Sequence, residues 1–512
     1  MSETFSYDEL PYPSFTFPQT RPDRLSTIGK FFGIDTALPD RCTLLELGCG
    51  DGTNLLSFAH CHPESEFVGI DLSRVHINSA ISAREELGLK NVQFICADLT
   101  ATPAGEFGEY DFIVAHGLFS WVPEPVREHV LKIYSECLNP NGIGYISYNA
   151  FPGFHIREIT RGLMRFHTAE IGDPDEKVKQ ATAILGFLGE SLPADSLNSK
   201  IIEREFKELV ERTPSNVFHD DLSGINQAFY FHEFAEMAGR NGLQYVSEAD
   251  ISSSNMRGLP DKVLTALAGI GQDVVRLEQY LDFIKFRRFR STLVCRNDLK
   301  IERSPDPSAI RNFRFASRLS PEPGSVLHDS STVRFLGDKE ESVQMNHPLT
   351  KTILASLSEV WTRSIAADEI FAAAADQLGS EGSSVTDDDI HMAESYLVEM
   401  YRVELIKLSR FEPELAHAVS ANPKASDFAR WQIDRNCAAV TTMTGMNLEP
   451  ETDLVRLIIR LADGSRSQEM IGKEILELVE AEQEQRTEFE EQLPAMIDSC
   501  LSDLLRAGLL VG

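Results

Sequence analysis

The chain has 512 residues, of which 42% are hydrophobic and 25% are charged, a composition typical of soluble proteins with more than one domain. It has no apolar run of about 18 residues and no N-terminal secretory signal, which excludes a membrane-spanning helix and predicts a cytoplasmic protein. The net charge of −31 argues against nucleic-acid binding, because phosphate backbones repel a polyanion. A basic protein partner would be attracted, although solubility alone explains the charge equally well.

The eight cysteines are scattered along the chain, with no CxxC pair and no Cys/His cluster at the spacing of zinc ligands. Buried thiols are the simplest interpretation of those in apolar segments. We therefore expect neither a disulfide framework nor a bound metal.

The first half of the chain alternates strand-like and helix-like segments. The predicted strands are 43–47, 66–71, 92–96, 110–115 and 142–148, and the predicted helices between them are 53–60, 75–87 and 127–138. This alternation predicts an α/β fold with a parallel sheet covered by helices on both faces. A helix at 231–240 and strands at 242–246 and 289–295 are expected to complete the sheet.

A helical insertion interrupts the sheet between residues 154 and 214. Its three apolar stripes favour packing within the chain, with dimerisation as an equal alternative. Residues 300–331 are rich in Pro and Ser and predict a linker. Beyond it, two similar successions of helix, turn, helix, long helix and short strand are winged-helix-like, and the acidic charge favours protein contact or scaffolding over DNA binding.

The turn Glu46-Leu47-Gly48-Cys49-Gly50-Asp51-Gly52 follows an apolar strand and precedes a helix. Such a glycine turn lets a ligand approach the backbone closely. Its ExGxGxG spacing differs from the dinucleotide GxGxxG, and indicates a ligand without a pyrophosphate. Glu46 would suit a positively charged amino-acid tail.

Two further acids follow neighbouring strands. Asp71 lies 19 residues beyond Gly52, where a carboxylate accepts hydrogen bonds from both ribose hydroxyls; an N-cap of the next helix is the alternative. Asp98 would accept from an adenine amino group while Leu99 packs on the ring; the alternative is a solvated turn. Together these positions predict an adenosyl ligand at the carboxyl edge of the sheet.

Two residues after later strands face the reacting centre. His116 would line the methionine part of the ligand or take a proton, and the alternative is a loop histidine bonded to backbone. Tyr148 would orient an amine, with a core aromatic as an equally good interpretation. We treat both as candidate catalytic residues.

These segments together resemble class I S-adenosylmethionine (SAM)-dependent methyltransferases. Four stretches further resemble members that carry a methyltransferase regulatory domain, including rickettsial protein-lysine methyltransferases: Tyr12 to Leu25, Ala115 to Pro123, Ser147 to Gly153 and Phe229 to Phe234. The resemblance implies a Rossmann-like seven-stranded sheet and SAM contacts at Glu46, Gly48, Cys49, Gly50, Asp71, Leu72, Asp98, Leu99 and His116. It also implies a lid before the first strand, with contacts from Tyr12 and Gln19.

The resemblance implies the following domain organisation. We expect a SAM-binding core at 1–153, an insertion used for homodimerisation at 154–214, completion of the core or regulatory domain at 215–299, a linker and middle winged-helix-like domain at 300–410, and a C-terminal winged-helix-like domain at 411–512. A protein substrate, methylated at lysine, is the expected partner.

The predicted reaction is in-line attack on the sulfonium methyl, for which the protein mainly positions and desolvates the reactants. A lysine nucleophile has a free pKa of ~10.4 and must first lose a proton, which an apolar site favours. Phe119, Trp121 and Phe151 are predicted to build that site, with Tyr148 or His116 receiving the proton through water. The alternatives are methylation of a small molecule or of a different protein residue, and a SAM-binding scaffold without catalysis.

Overall fold

The structure, a computed structural model, describes residues 15–271, 273–338, 341–478 and 483–512. Tyr12, which the resemblance places at the cofactor, lies outside the described residues. Within them, no helix combines the length and apolar character needed to cross a bilayer.

A seven-stranded sheet in the order β3-β2-β1-β4-β5-β7-β6 forms the N-terminal half. Strands β1 to β5 are parallel, whereas β7 runs antiparallel to both β5 and β6. The predicted fold class is thus confirmed. The strands are β1 (Thr43–Leu47), β2 (Glu66–Asp71), β3 (Val92–Cys96), β4 (Tyr110–Ala115), β5 (Leu138–Asn149), β6 (Leu243–Glu248) and β7 (Phe289–Arg296).

Successive residues of each strand point to opposite faces, which divides the core into two layers. Leu44 and Phe112 pack on one face, and Leu45 and Ile113 on the other. The helices of this half are α1 (Pro22–Phe31), α2 (Thr53–Cys61), α3 (Arg74–Glu86), α4 (Glu124–Cys137), α5 (Phe154–His167), α6 (Pro174–Ser191), α7 (Leu197–Val210), α8 (Pro214–Asn216), α9 (Phe231–Arg240), α10 (Asp261–Ala268) and α11 (Val274–Lys285).

The insertion α5–α7 has a small core of its own, in which Met164, Ala181, Leu185 and Ile202 are buried. Packing within the chain therefore takes up part of each apolar stripe. The remainder stays on the surface, with Phe166 84% exposed. Dimerisation through this surface stays a prediction.

Part of the segment predicted to be a linker is packed. Ile310, Phe313 and Phe315 are buried within the larger core cluster, and Phe315 lies in a short strand paired on both sides. Pro307 begins a short 3₁₀ helix and Pro321 lies in a short strand, so these prolines do not separate the segment from the core. The sequence interpretation of 300–331 as a linker was wrong for these residues, because it weighed the prolines above the apolar residues between them.

The C-terminal half is mainly helical, with small sheets in the orders β11-β10-β9, β12-β8-β13 and β14-β15. The winged-helix interpretation of these units stays a prediction. Their elements are β8 (Arg314–Ala316), β9 (Ser320–Pro321), β10 (Val333–Leu336), β11 (Ser342–Met345), α12 (Pro348–Glu359), β12 (Ile365–Ala366), α13 (Ala367–Ser380), α14 (Asp387–Arg402), β13 (Lys407–Ser409), α15 (Asp427–Asp434), β14 (Val440–Thr441), β15 (Asn447–Leu448), α16 (Asp453–Leu461), α17 (Gln468–Leu478) and α18 (Gln483–Ala507).

Candidate active site

The glycine turn between β1 and α2 has the backbone conformation that requires glycine. Gly48, Gly50 and Gly52 have φ values of +73°, +54° and +76°. A Cβ atom at Gly52 would lie 2.5 Å from Phe94, whereas a Cβ at Gly50 would meet nothing within 4 Å. The turn is therefore closely packed on its inner side and open at Gly50, where a ligand can approach the backbone.

Glu46, at the end of β1, carries a buried carboxylate that is only half paired. Its Oε1 accepts a hydrogen bond from Asn54 Nδ2 at 2.8 Å, and the buried Oε2 has no partner among the described residues. Burial raises the pKa of Glu46 to about 8, and the nearby Asp51 and Asp71 add to the rise. A positively charged ligand group at Oε2 would relieve both the desolvation and the repulsion.

The segment before α1 covers this acid through Asn54. The backbone N–H of Phe17 donates to Asn54 Oδ1 at 2.9 Å, and Asn54 Nδ2 also donates to Thr20 Oγ1 at 3.1 Å. Gln19 of the same segment hydrogen-bonds Tyr145. We call residues 16–20 the lid segment. Sequence reasoning missed Asn54, although its place in the first turn of α2, directly after the glycines, was a usable signal.

Asp71 connects β2 to the glycine turn. Its two carboxylate oxygens accept hydrogen bonds from the backbone N–H of Gly50 at 2.9 Å and of Ser73 at 2.8 Å. The N-cap of α3 is Ser73, whose hydroxyl accepts from His76 N–H, so the alternative of Asp71 as N-cap is wrong. Leu72 beside it is partly exposed, and Cys49 is buried below the turn.

Asp98 lies on the surface after β3. Its Oδ1 accepts from the backbone N–H and the hydroxyl of Thr100, at 2.9 and 2.8 Å, and so caps a short 3₁₀ turn. The neighbouring Leu99 is buried. This geometry is that of a turn-capping acid, and the adenine contact stays a prediction.

His116 forms a hydrogen-bonded chain with Tyr145 and Ser291. The Tyr145 hydroxyl donates to Ser291 Oγ at 3.0 Å, so it accepts from His116 Nδ1 at 2.9 Å. A proton on Nδ1 leaves Nε2 of the neutral ring as an acceptor. Burial lowers the pKa of His116 to about 4, and the ring of Phe17 lies over the imidazole with centroids 3.8 Å apart.

The side chain of Tyr148 lies on the other face of the sheet from the hydrogen bonds that join His116, Tyr145 and Ser291. It is 0% exposed, stacks on Phe234 with centroids 4.3 Å apart, and has its hydroxyl 3.1 Å from Thr292 Oγ1. Tyr145 and Tyr148 are three positions apart on β5, an odd spacing that places them on opposite faces of the sheet. This burial favours the alternative of Tyr148 as a core aromatic, and Tyr145, on the other face, is the tyrosine that hydrogen-bonds His116.

The aromatic residues predicted to surround the reacting amine lie in different parts of the structure. Phe119 is buried in the layer of Tyr148 and packs on Phe229 and Phe234. Phe151 stacks on His155, with centroids 3.9 Å apart, outside the His116 chain. Phe289, which sequence reasoning missed, has its ring centroid 6.3 Å from that of His116. Phe17 and Phe289, together with Tyr145, are thus aromatic neighbours of His116.

The structure therefore brings Glu46, the glycine turn, Asp71 and His116 to the carboxyl edge of the parallel strands, where such sheets bind ligands. In the part of the chain that is described, no group of His, Cys, Asp and Glu has the arrangement of a metal site. The unpaired oxygen of Glu46 and the open space at Gly50 fit a ligand with an ammonium group, such as SAM.

Comparison with known proteins agrees with this geometry. Residues 44–142 match the family model of a methyltransferase domain, and residues 213–296 match that of a predicted methyltransferase regulatory domain. The fold is similar to that of PKMT2 from Rickettsia typhi in complex with AdoHcy, with 28% identity, a TM-score of 0.86, and coverage of 98% of this chain and 100% of that one. The chain is a class I SAM-dependent methyltransferase with a regulatory domain.

Two proteins of Rickettsia prowazekii extend the similarity. One is 36% identical over 360 residues, and the alignment covers 69% of this chain and 65% of that relative. The other is 37% identical over 234 residues, covering 46% of this chain and 93% of the relative. The methyltransferase therefore spans just under two thirds of the first relative and nearly all of the second. SAM is the methyl donor in this family.

Proposed function

We propose that this methyltransferase transfers the methyl group of SAM to lysine side chains of a protein substrate. The observation that carries the proposal is the His116–Tyr145–Ser291 chain beside two aromatic rings, because it offers an uncharged acceptor in apolar surroundings. The similarity to PKMT2 over almost the whole chain supports the same class of substrate.

Within this proposal, the strand ends hold the methyl donor. Glu46 receives its ammonium group, Gly48, Cys49 and Gly50 line its amino-acid part, and Asp71 with Leu72 holds the ribose. Asp98 and Leu99 bind the adenine, and Gln19 of the lid segment covers the site. Bound SAM supplies a methyl group made electrophilic by its sulfonium.

The protein's own contribution to methyl transfer is to hold a neutral amine in line with that methyl group. Phe17 and Phe289 exclude water around His116, which lowers the pKa of an incoming lysine by desolvation. His116 itself has a pKa near 4, so it is neutral above about pH 5 and cannot retain a proton. We infer that His116 accepts a hydrogen bond from the amine and that the lysine proton leaves to water.

The net charge of −31 favours encounter with a basic segment of the substrate.

We also propose that the exposed apolar surface of the insertion, which includes Phe166, Phe187 and Leu197, is buried in a homodimer. Light scattering, which measures molar mass in solution, tests the dimer. The wild type should be dimeric and a Phe166→Glu variant monomeric. The same molar mass for the two proteins would contradict the proposed dimer.

A methyl-transfer assay with radiolabelled SAM and cell lysate tests the proposed substrate. We expect labelled polypeptide bands, and methyl-lysine after acid hydrolysis. Lysate whose lysines have been acetylated should take up no label, because an amide nitrogen is not nucleophilic. The Tyr145→Phe variant should label more slowly than wild type, while Tyr148→Phe, matched in chemistry but on the other face of β5, should label at the wild-type rate.

Each alternative gives a different result in that assay. Label in small molecules only would support the small-molecule methyltransferase. SAM binding by calorimetry without any labelled product would support the scaffold. Labelled protein that yields a methylated residue other than lysine would contradict the lysine assignment and leave a protein methyltransferase.

A further inference from the structure

The elements from α15 to α18, which we call the C-terminal unit, contact the lid segment at the hairpin formed by β14 and β15. Four hydrogen-bond contacts join Thr16 to Gly445 in the turn of this hairpin and to Asn447, the first residue of β15, and three of them involve the side chain of Asn447. Asn447 Nδ2 donates to the Thr16 carbonyl at 2.8 Å, while its Oδ1 accepts from the Thr16 hydroxyl at 2.8 Å and from the Thr16 N–H at 3.4 Å. One amide side chain therefore satisfies both backbone polar groups of Thr16.

Burial of Thr16 makes this pairing hard to replace in full. Thr16 is only 2% exposed, so in the intact protein water has little access to its N–H and carbonyl. Asn447 itself is exposed, so water that enters after its truncation replaces part of these hydrogen bonds, but not the fixed geometry in which one amide pairs with both backbone groups. Removing the Asn447 amide would therefore favour movement of Thr16 away from its observed position.

The residue that follows Thr16 contacts the cofactor site directly. Phe17 is the next residue, its N–H donates to Asn54, and its ring covers His116. Asn54 in turn donates to Glu46 at 2.8 Å. A continuous path of contacts thus runs from Asn447 through the lid segment to the acid that we assign to the ammonium group of SAM.

The turn also approaches the N-terminal segment more closely than a side chain would permit. A Cβ atom at Gly445 would lie 2.4 Å from Arg21 Cδ, and Gly445 has a φ of +80°. The nearby Met443 carbonyl accepts from Arg21 Nη2 at 3.2 Å. Two segments more than 400 residues apart in sequence therefore approach each other closely here, and the absence of a side chain at Gly445 permits this approach.

Separate contacts dock the C-terminal unit on the methyltransferase domain. The Trp431 indole N–H donates to Glu86 at 2.9 Å, and Arg435 pairs with the same carboxylate. These contacts lie on α15 and α3, outside the lid segment. Loss of the Asn447 amide should therefore loosen the lid segment without releasing the unit.

We propose that Asn447 is a positioning residue for SAM binding, which makes the C-terminal unit a working part of the cofactor site. The inference depends on the cofactor site assigned above, and it is independent of the lysine assignment. It gives the C-terminal unit a role in this enzyme beyond scaffolding.

Calorimetric titration of the full-length chain with SAM tests this proposal. Asn447→Ala should weaken SAM binding about tenfold, because the net loss of several hydrogen bonds is partly offset by relaxation. Asn422→Ala, a change at an exposed asparagine shortly before α15, should leave the affinity unchanged. Hydrogen exchange should rise at residues 16–20 in Asn447→Ala only, with both variants melting close to the wild type.

Thr16 provides the second pair of variants. Thr16→Val removes the hydroxyl at nearly constant volume and should weaken SAM binding by a smaller factor, whereas Thr16→Ser should restore it. The proposal is overturned if Asn447→Ala keeps wild-type affinity, or if Asn422→Ala weakens binding equally. If Asn447→Ala does not fold, wild-type affinity in Thr16→Val overturns it. Loss of binding in a Glu46 variant with no effect at Asn447 would leave the cofactor site standing and reject only this inference.

Discussion

Two groups of buried acids lie in different parts of the sheet, one beside β7 and one at the end of β1, and their pairing differs. Beside β7, Glu248, Glu278 and Asp282 surround Arg290, with Asp282 bound by two nitrogens of the guanidinium at 2.9 Å each, and Arg287 pairs with Glu278 and Asp282. At the end of β1, Glu46 has one amide donor and no cation among the described residues. Both groups are buried, yet only the first has cations of the protein beside it.

This difference separates structural from binding charges. The acids of a buried ion network already have cations of the protein beside them, which offset part of their desolvation, so they need no charged ligand. A buried acid with an unpaired oxygen destabilises the unliganded protein and gains from a cation that arrives with the ligand. We therefore expect substitutions in the two groups of acids to change stability in opposite directions.

The largest effect should come from breaking the paired group. Arg290→Met would leave three buried acids without their common partner, and would remove the guanidinium that lies 3.8 Å from the ring centroid of Phe231. Loss of one side of a buried ion pair destabilises by about 3–5 kcal/mol. Urea unfolding should show this loss, while Arg296→Met, which removes an exposed pair with Asp298, should stay within about 0.5 kcal/mol of wild type.

The second effect should come from neutralising the unpaired acid. Glu46→Gln keeps the shape of the side chain but removes the charge, so SAM binding should weaken by roughly tenfold to a hundredfold. The pKa of Glu46 is raised by folding, so its contribution to stability is present at low pH and is lost as the pH rises towards about 8. The unliganded Glu46→Gln protein should therefore melt above the wild type at pH 8.

A control at Glu66, an exposed acid on the neighbouring strand β2, sharpens this result. Glu66→Gln should change neither the melting temperature nor the SAM affinity. A Glu46→Gln protein that is less stable than wild type at pH 8 would show that Glu46 behaves like the paired acids beside β7, and would contradict the distinction between the two groups.

The smallest effects should distinguish the two tyrosines of β5. Tyr148→Phe removes a buried hydrogen bond to Thr292 and should reduce stability by about 1 kcal/mol, with methyl transfer unchanged. Tyr145→Phe removes the acceptor of His116 Nδ1, so its main effect should be on the rate of methyl transfer. Equal rates for the two variants would show that His116 needs no orienting partner.

The sequence predicted the sheet and the residues at its strand ends because both depend on local patterns. Apolar segments that alternate with helix-like ones define β1 to β5. Glu46, Gly50 and Asp71 lie at or just after the ends of two neighbouring strands, so their positions in the sequence already place them together. The sequence analysis named Tyr148 and did not consider Tyr145, because the face of β5 that meets His116 depends on how the sheet packs and not on the residue pattern alone. Asn447 could not be predicted, since its contact with Thr16 spans 431 positions and depends on how the C-terminal unit docks.

The most direct test of Glu46 as the receptor for the ammonium of SAM is the proton balance of binding. Calorimetry at about pH 6.5, repeated in buffers of different ionisation enthalpy, measures the protons released per SAM bound. Glu46 is mostly protonated there, because its pKa is about 8, and it must ionise to pair with the ammonium. We predict release of nearly one proton by the wild type and none by Glu46→Gln, with wild-type affinity rising between about pH 6 and about pH 7.5. Equal proton release by the two proteins would contradict the assignment of Glu46.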